Sequence, residues 1–246
     1  MVTNKHVIED ANVGSFVFIL NDGKGDPQLG RGIEVPVLRF RDHFHGHPDP
    51  SVDIAVSPLN PLIDHRDEAT GLVIGQSTYV APIRSQHIPT QEYIDNLEAI
   101  EEIFFIGYPA GLYDAVNLTP ITRRGITATP LQVDYDGESV FLIDAAVFPG
   151  SSGSPAFLAS SAIRTDKSGN LVLIASRIVL LGVIAKYLSK PETGIVEWKP
   201  IPTEENEVVP TYTTSQALNL GVVYKSSTVL ETIDDFIKTY GDGKQT

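Results

Sequence analysis

Asp144-Ala-Ala-Val-Phe-Pro-Gly-Ser-Ser-Gly-Ser-Pro155 is the stretch on which the reading of the chain turns. It follows a strand-like run, Ser139-Val-Phe-Leu-Ile143, and precedes a second apolar segment, Ala156-Phe-Leu158. The glycines, prolines and serines between them make a tight polar turn that no regular element would carry. Gly150 and Gly153 flank Ser151 and Ser152, so the backbone can take conformations that aim consecutive N–H groups at one point. A hydroxyl beside such N–H groups is what acyl transfer requires: a nucleophile and an oxyanion hole in one loop. Taken alone, the same residues read more simply as a hairpin loop.

Composition narrows the field. With 246 residues the chain can bury a large core, as one domain of two packed lobes or as two small domains. A formal charge of −13 without a basic cluster argues against nucleic acid and anionic membrane surfaces as partners. No apolar run approaches the length of a membrane span. The absence of cysteine removes disulfides and thiol catalysis but does not fix the compartment. No signal peptide is visible, which leans the expectation towards the cytoplasm, subject to what precedes Met1.

Gly150-Ser-Ser-Gly-Ser-Pro155 resembles the nucleophile loop of trypsin-like serine peptidases, written Gly-Asp/Asn-Ser-Gly-Gly/Ser-Pro. Asp144-Ala-Ala146 is similar to the bacterial HtrA-type branch, and the Ser-Pro ending to the glutamyl endopeptidase branch. The resemblance implies Ser152 as nucleophile, with the backbone N–H groups of Gly150 and Ser152 as oxyanion donors. Ser151 stands where the family carries Asp or Asn, so a less firmly held loop is expected. An α/β-hydrolase elbow is excluded, because it needs glycine two residues after the serine and Ser154 stands there.

Two further segments carry the resemblance. Met1-Val-Thr-Asn-Lys-His-Val-Ile8 resembles the family's histidine motif and implies His6 as general base. Ser51-Val-Asp-Ile-Ala-Val56 resembles its Asp-Ile/Leu-Ala segment and implies Asp53 as the third member. An aspartate so placed accepts the second ring N–H of the histidine, fixes its tautomer and stabilises the imidazolium. The implied fold is all-β: two six-stranded antiparallel β-barrels of chymotrypsin type with a C-terminal helix. Family members carry two strands before the histidine motif, so the first barrel is expected to lack its N-terminal hairpin. The lobes would span residues 1–83 and 103–246, joined by a connection over 84–102.

The rest of the chain supplies the elements. Ser15–Leu20 reads as a strand ending in the turn Asn21-Asp-Gly23, and Gly30–Phe40 as a second strand whose Pro36 suits an edge. His43, His45 and His47 alternate, as a metal site on an extended segment would, but the surrounding Gly and Pro residues argue for a solvated loop. Leu72–Ile74 and Tyr79–Ala81 read as short strands. Thr90 would cap a short helix with Ile94, Leu97 and Ile100 on one side and acidic residues on a wet face. Ile103–Pro109 and Pro120–Ala128 resemble the opening strands of the second barrel, with Arg123 and Arg124 best explained by a local ion pair. Leu171–Ile174 and Ile178–Ala185 are apolar enough for buried barrel strands. Ser189–Pro210 reads as an irregular surface loop and Leu220–Tyr224 as the last strand. A final helix is capped by Ser227 or Thr228, carries Val229, Leu230, Ile233, Phe236, Ile237 and Tyr240 on one stripe, and stops at Gly241 and Gly243.

The activity implied by the resemblance is hydrolysis of peptide bonds in a polypeptide substrate, with no metal or cofactor. Ala146 and Val147 would lie at the base of the primary pocket, where neither can pair a basic side chain. Ala185, Lys186 and Tyr187 would offer main-chain hydrogen bonds to an extended substrate by strand addition. Tyr187, where a glycine often keeps the pocket open, suggests small apolar side chains before the cut bond. The alternative is a catalytically impaired protein of the same fold that binds extended peptides or a protein partner. Nothing in the sequence fixes an oligomeric state.

Overall fold

The computed structural model describes residues 1–59, 77–159, 163–165, 171–173, 178–195 and 211–241. In chain order these form β1 (Val2–Thr3), α1 (Lys5–Ile8), β2 (Val13–Asn21), β3 (Pro27–Leu38), β4 (His45–Gly46) and β5 (Ala55–Val56). There follow α2 (Gln91–Asp95), β6 (Glu102–Gly107), β7 (Ile121–Thr127), β8 (Val140–Asp144) and β9 (Pro155–Leu158). The last elements are β10 (Ile163–Thr165), β11 (Leu171–Leu173), β12 (Leu180–Ile195), β13 (Thr211–Lys225) and α3 (Ser226–Tyr240).

Six strands close into a barrel in the order β12-β13-β8-β7-β6-β9. Its interior is filled by Ile103, Phe105, Phe141, Ile143, Ala156, Leu158, Leu181 and Val223. Within the closed part each strand is paired on both sides, and β-branched and aromatic side chains suit the pleated wall. Gly182 is required where β12 crosses β13, because a Cβ there would overlap the Tyr224 carbonyl.

The outside of this barrel is also apolar, which is unusual for a wall facing water. Val140 and Leu142 of β8, Val183 and Ala185 of β12, and Val222 and Tyr224 of β13 form a second cluster with Val52, Ile54 and Val229. Partly buried Val2 and Ile233 pack against it. The N-terminal segment and α3 therefore share one face of the barrel as their common floor.

In the N-terminal part, β1, β5 and β4 form a three-stranded sheet and β2 with β3 a hairpin. Of the twin six-stranded barrels expected, one is seen, and a second closed barrel is not seen among the described residues. Pro36 sits exposed on β3, whose only partner among the described residues is β2. Tyr79–Ala81 is not a strand: one bridge joins Leu20 to Thr78, and the Tyr79 N–H reaches Ile19. Leu72–Ile74 lies outside the described residues.

Ahead of β6, Thr90 caps α2 by accepting from the Tyr93 N–H at 3.3 Å. Leu97 is buried and Ile94 half-buried, but Ile100 faces outward. Glu101 is buried rather than on a wet face, its carboxylate accepting the Glu98 N–H at 2.7 Å. Arg124 pairs with Glu102 across β6 and β7, as a local ion pair should, whereas Arg123 lies over the Phe148 ring at 4.8 Å.

Three further expectations are corrected. Leu171–Leu173 pairs with β10 in a separate hairpin, not in the barrel. The run from Ser189 to Ile195 extends β12 against β13 instead of forming irregular loop; residues 196–210 lie outside the described set. The terminal helix starts at Ser226 without a side-chain cap, and its covered face is Thr228, Val229 and Thr232, with Leu230, Ile237 and Tyr240 exposed. The buried threonines are satisfied within the helix, Thr228 Oγ1 donating to the Lys225 carbonyl and Thr232 Oγ1 to that of Thr228.

The three-histidine segment is not a solvated loop. His47 is buried and donates from Nε2 to Glu231 at 3.1 Å, and His45 meets Asp235 at 2.8 Å, both carboxylates standing on α3. His43 turns away to the Leu38 carbonyl. Among the described residues no group of His, Asp and Glu side chains is arranged to hold a metal ion.

Because Phe141 is fully buried inside the barrel, Phe141→Ala should lower stability by about 3–5 kcal/mol. Urea unfolding would show this as a lower midpoint with an unchanged slope.

Candidate active site

Side chains far apart in sequence meet where the N-terminal segment crosses the barrel. His6 lies in α1, a single turn entered from β1. Its Nδ1 lies 2.6 Å from one carboxylate oxygen of Asp53, and its backbone N–H donates to the other at 3.0 Å. A carboxylate can only accept, so Nδ1 carries the proton and Nε2 is left as an acceptor. That nitrogen faces Ser152 Oγ at 3.1 Å. The arrangement is open to solvent, with His6 48 % and Asp53 26 % exposed.

Asp53 is placed by what surrounds it. Ile54 beside it is wholly buried, and the His47 N–H donates to the Ile54 carbonyl at 2.8 Å. The preceding turn is closed by Asp49, which accepts from both the N–H and the hydroxyl of Ser51. Those bonds, the backbone one foremost, hold the Asp49 carboxyl below the usual carboxylate range. Tyr224 of the barrel donates its phenol to the Ser51 carbonyl at 3.1 Å. Desolvation raises the pKa of that phenol, so it stays a donor well above neutral pH.

The serine loop folds by its own backbone. The Ser151 N–H returns to Phe148, the Ser154 N–H to Ser151, and the Ala110 N–H reaches across to Pro149 at 2.6 Å. Gly150 sits at φ 86°, and a Cβ there would lie 2.7 Å from the Tyr108 carbonyl, so only glycine is comfortable. A side chain at Gly107 would likewise overlap the Ser154 hydroxyl. Ser151 is 1 % exposed, and its Oγ turns back towards the Phe148 N–H at 3.5 Å. Among the described residues no acceptor engages the N–H of Gly150 or of Ser152.

The Ser152 hydroxyl has a second acceptor, the Ala185 carbonyl at 2.7 Å. Ala185 is the extra residue of a bulge in β12, between the pairs Ile184–Val223 and Lys186–Val222. A bulge turns a main-chain group out of the ladder, here towards the serine. Strand β9 accompanies β12 only as far as Val183, so among the described residues Lys186–Ile195 has β13 on one side alone. Lys186 and Tyr187 are exposed on that segment. Ala146 is half-buried. Val147 instead belongs to the barrel core, where a Cβ on Gly221 would come within 2.6 Å of it; it does not line an open pocket.

Asn4 has no role assigned in the sequence reading, although it lies inside the histidine motif. It is wholly buried, and its side chain joins Asp53 to the serine loop. An asparagine just ahead of a helical turn has the character of an ordinary cap, which gives no sign of this link.

A mostly β chain with a closed barrel and a C-terminal helix, carrying such a cluster where its N-terminal segment meets the barrel, is consistent with the chymotrypsin fold. Residues 1–163 match the family model described as a trypsin-like peptidase domain, and the chain belongs to that family. No curated protein matches the chain.

Gly150→Ala should disturb the serine loop without unfolding the barrel. It forces Ala into a left-handed conformation against the Tyr108 carbonyl. The expected outcome is a thermal midpoint lowered by a few degrees, with local loss of amide protection over residues 148–154 by hydrogen exchange.

Proposed function

We propose that the protein is a serine endopeptidase in which Ser152 is the nucleophile, His6 the general base and Asp53 the residue that orients it. The observation that carries this reading is the continuous chain from the Asp53 carboxylate through His6 to Ser152 Oγ, at 2.6 and 3.1 Å. Ser152 Oγ attacks the substrate carbonyl while Nε2 of His6 takes the hydroxyl proton. The resulting imidazolium is stabilised by Asp53 and returns the proton to the leaving amine. Water then repeats the sequence on the acyl-enzyme. The N–H groups of Gly150 and Ser152 take the oxyanion, each such donor lowering the barrier by about 3 kcal/mol.

The edge of β12 from Ala185 to Tyr187, which has no second partner among the described residues, is the natural place for an extended substrate, which would add as a further strand. A substrate N–H that engages the Ala185 carbonyl competes with the Ser152 hydroxyl for it. The hydroxyl is then left with His6 Nε2 as its acceptor, the arrangement in which it can react. Ala146 at the base of the primary pocket and the exposed Tyr187 favour small apolar side chains before the cut bond. The branch combining HtrA-type and glutamyl-endopeptidase features is part of the same proposal.

The shorter of the two Ser152 contacts is the one to Ala185. This favours a second reading, in which the serine rests on β12 and the protein binds extended peptides without turnover. A fluorophosphonate probe separates the two readings. Attack of Ser152 Oγ on phosphorus forms an O–P bond and expels fluoride, so the enzyme should be labelled on Ser152. Ser152→Ala should abolish labelling, and His6→Ala should slow it by about 100-fold or more. A folded protein that never labels would leave the peptide-binding reading.

A further inference from the structure

Asn4 stands at the first position before the α1 turn, with the extended backbone of a helix cap (φ −94°, ψ 149°), yet its side chain makes no capping bond. An asparagine there ordinarily accepts from the helix's own free N–H groups. Instead the side chain is drawn inward and is wholly buried. Its amide nitrogen donates to the Asp53 carbonyl at 2.7 Å, and its oxygen accepts the Gly153 N–H at 2.7 Å. The amide orientation is fixed by its partners, since a carbonyl can only accept and a backbone N–H can only donate.

The two bonds leave in different directions along the polymer. One reaches the backbone of the residue that orients His6, and the other the residue directly after Ser152. The Gly153 N–H is already engaged by the Ile184 carbonyl at 2.9 Å, so Asn4 is not needed merely to satisfy a donor. What it adds is a link across the lobe junction. Gly153 at φ 84° lets the loop approach closely enough, because a Cβ there would stand 3.1 Å from Thr3 Oγ1.

We propose that Asn4 is a positioning residue, which holds the serine loop in register with the Asp53–His6 pair. Its catalytic consequence rests on the peptidase reading above. Loss of the link should let the Ser152 hydroxyl drift from Nε2, and misplacements on the order of 1 Å cost about 100-fold in rate. The side-chain hydrogen bonds of Asn4 go to Asp53 and Gly153 and not to the edge of β12, so peptide binding there should be unaffected.

The test uses the full chain and a fluorophosphonate, with the maximal inactivation rate separated from the half-saturating concentration, well below the unfolding midpoint. In Asn4→Ala the maximal rate should fall by about 10- to 100-fold with the half-saturation within about threefold of the parent. Amide exchange across residues 150–154 should quicken by about tenfold while β6 keeps its protection. A lowered unfolding midpoint with an unchanged maximal rate would mean a purely structural role and overturn the proposal. Asn4→Asp keeps the shape and the acceptor for Gly153 but cannot donate to Asp53. It serves if Asn4→Ala does not fold, and parental rate and exchange in Asn4→Asp would equally overturn the proposal. Exchange needs no turnover. If the parent protein is never labelled, the peptidase reading falls, and exchange over 150–154 alone decides whether Asn4 holds the loop.

Discussion

The apolar outer wall of the barrel is the constraint on which everything else depends. Val140, Leu142, Val183 and Val222 face outward and cannot be left to water. They are covered from one side by α3 through Val229 and from the other by Val52 and Ile54. Because Ile54 is wholly buried in that contact, its neighbour Asp53 is carried to the junction and has little freedom to be elsewhere. Hydrophobic burial thus sets the coarse placement of the N-terminal segment on the barrel. It cannot set the last ångström, since such contacts are not directional.

The finer register comes from polar bonds crossing the same junction. Asn4 and Tyr224 each bring a buried or half-buried polar group to a main-chain partner on the other side. A buried amide left unpaired is costly, so these contacts admit only a narrow range of relative positions. The histidine contacts to α3 are of a different kind. Glu231 is 60 % exposed, and a contact with so solvated a partner contributes little stability. Their effect is geometric, bracing β4, and through it β5, against the helix that shares the barrel wall.

What was legible in the sequence follows the range of the interactions involved. The serine loop, β6, β8 and the Thr90 cap depend on local backbone chemistry and apolar runs, and all were readable. So were the residues that form the His6–Asp53–Ser152 cluster, because each sits in a short recognisable segment. Contacts with distant partners were not. His45 and His47 read as solvated because nothing near them in sequence reveals Asp235 and Glu231. Leu171–Leu173 has barrel-like composition, but composition does not say which strand it will pair with. On α3 the apolar stripe drawn from periodicity missed Thr232, since a threonine can be buried once its hydroxyl bonds back to the helix. Val147 was read as pocket lining, whereas its place in the core depends on Gly221 leaving room for it.

Strand β12 has to meet two demands that regular pairing cannot satisfy together. Up to Val183 it closes the barrel between β9 and β13, and there its main-chain groups are consumed in the ladder. Beyond that point it faces the serine loop, where a carbonyl turned out of the ladder is in contact with Ser152. One extra residue, Ala185, separates the two regimes, since the pairing resumes at Lys186 opposite Val222 with the register shifted. The bulge costs one rung of the ladder and frees one acceptor beside the Ser152 hydroxyl. A β12 without that extra residue would keep its rung and turn every following side chain to the opposite face. Ala185 therefore marks where the ladder of the barrel gives way to the geometry of the site, although its small apolar side chain gives no hint of it.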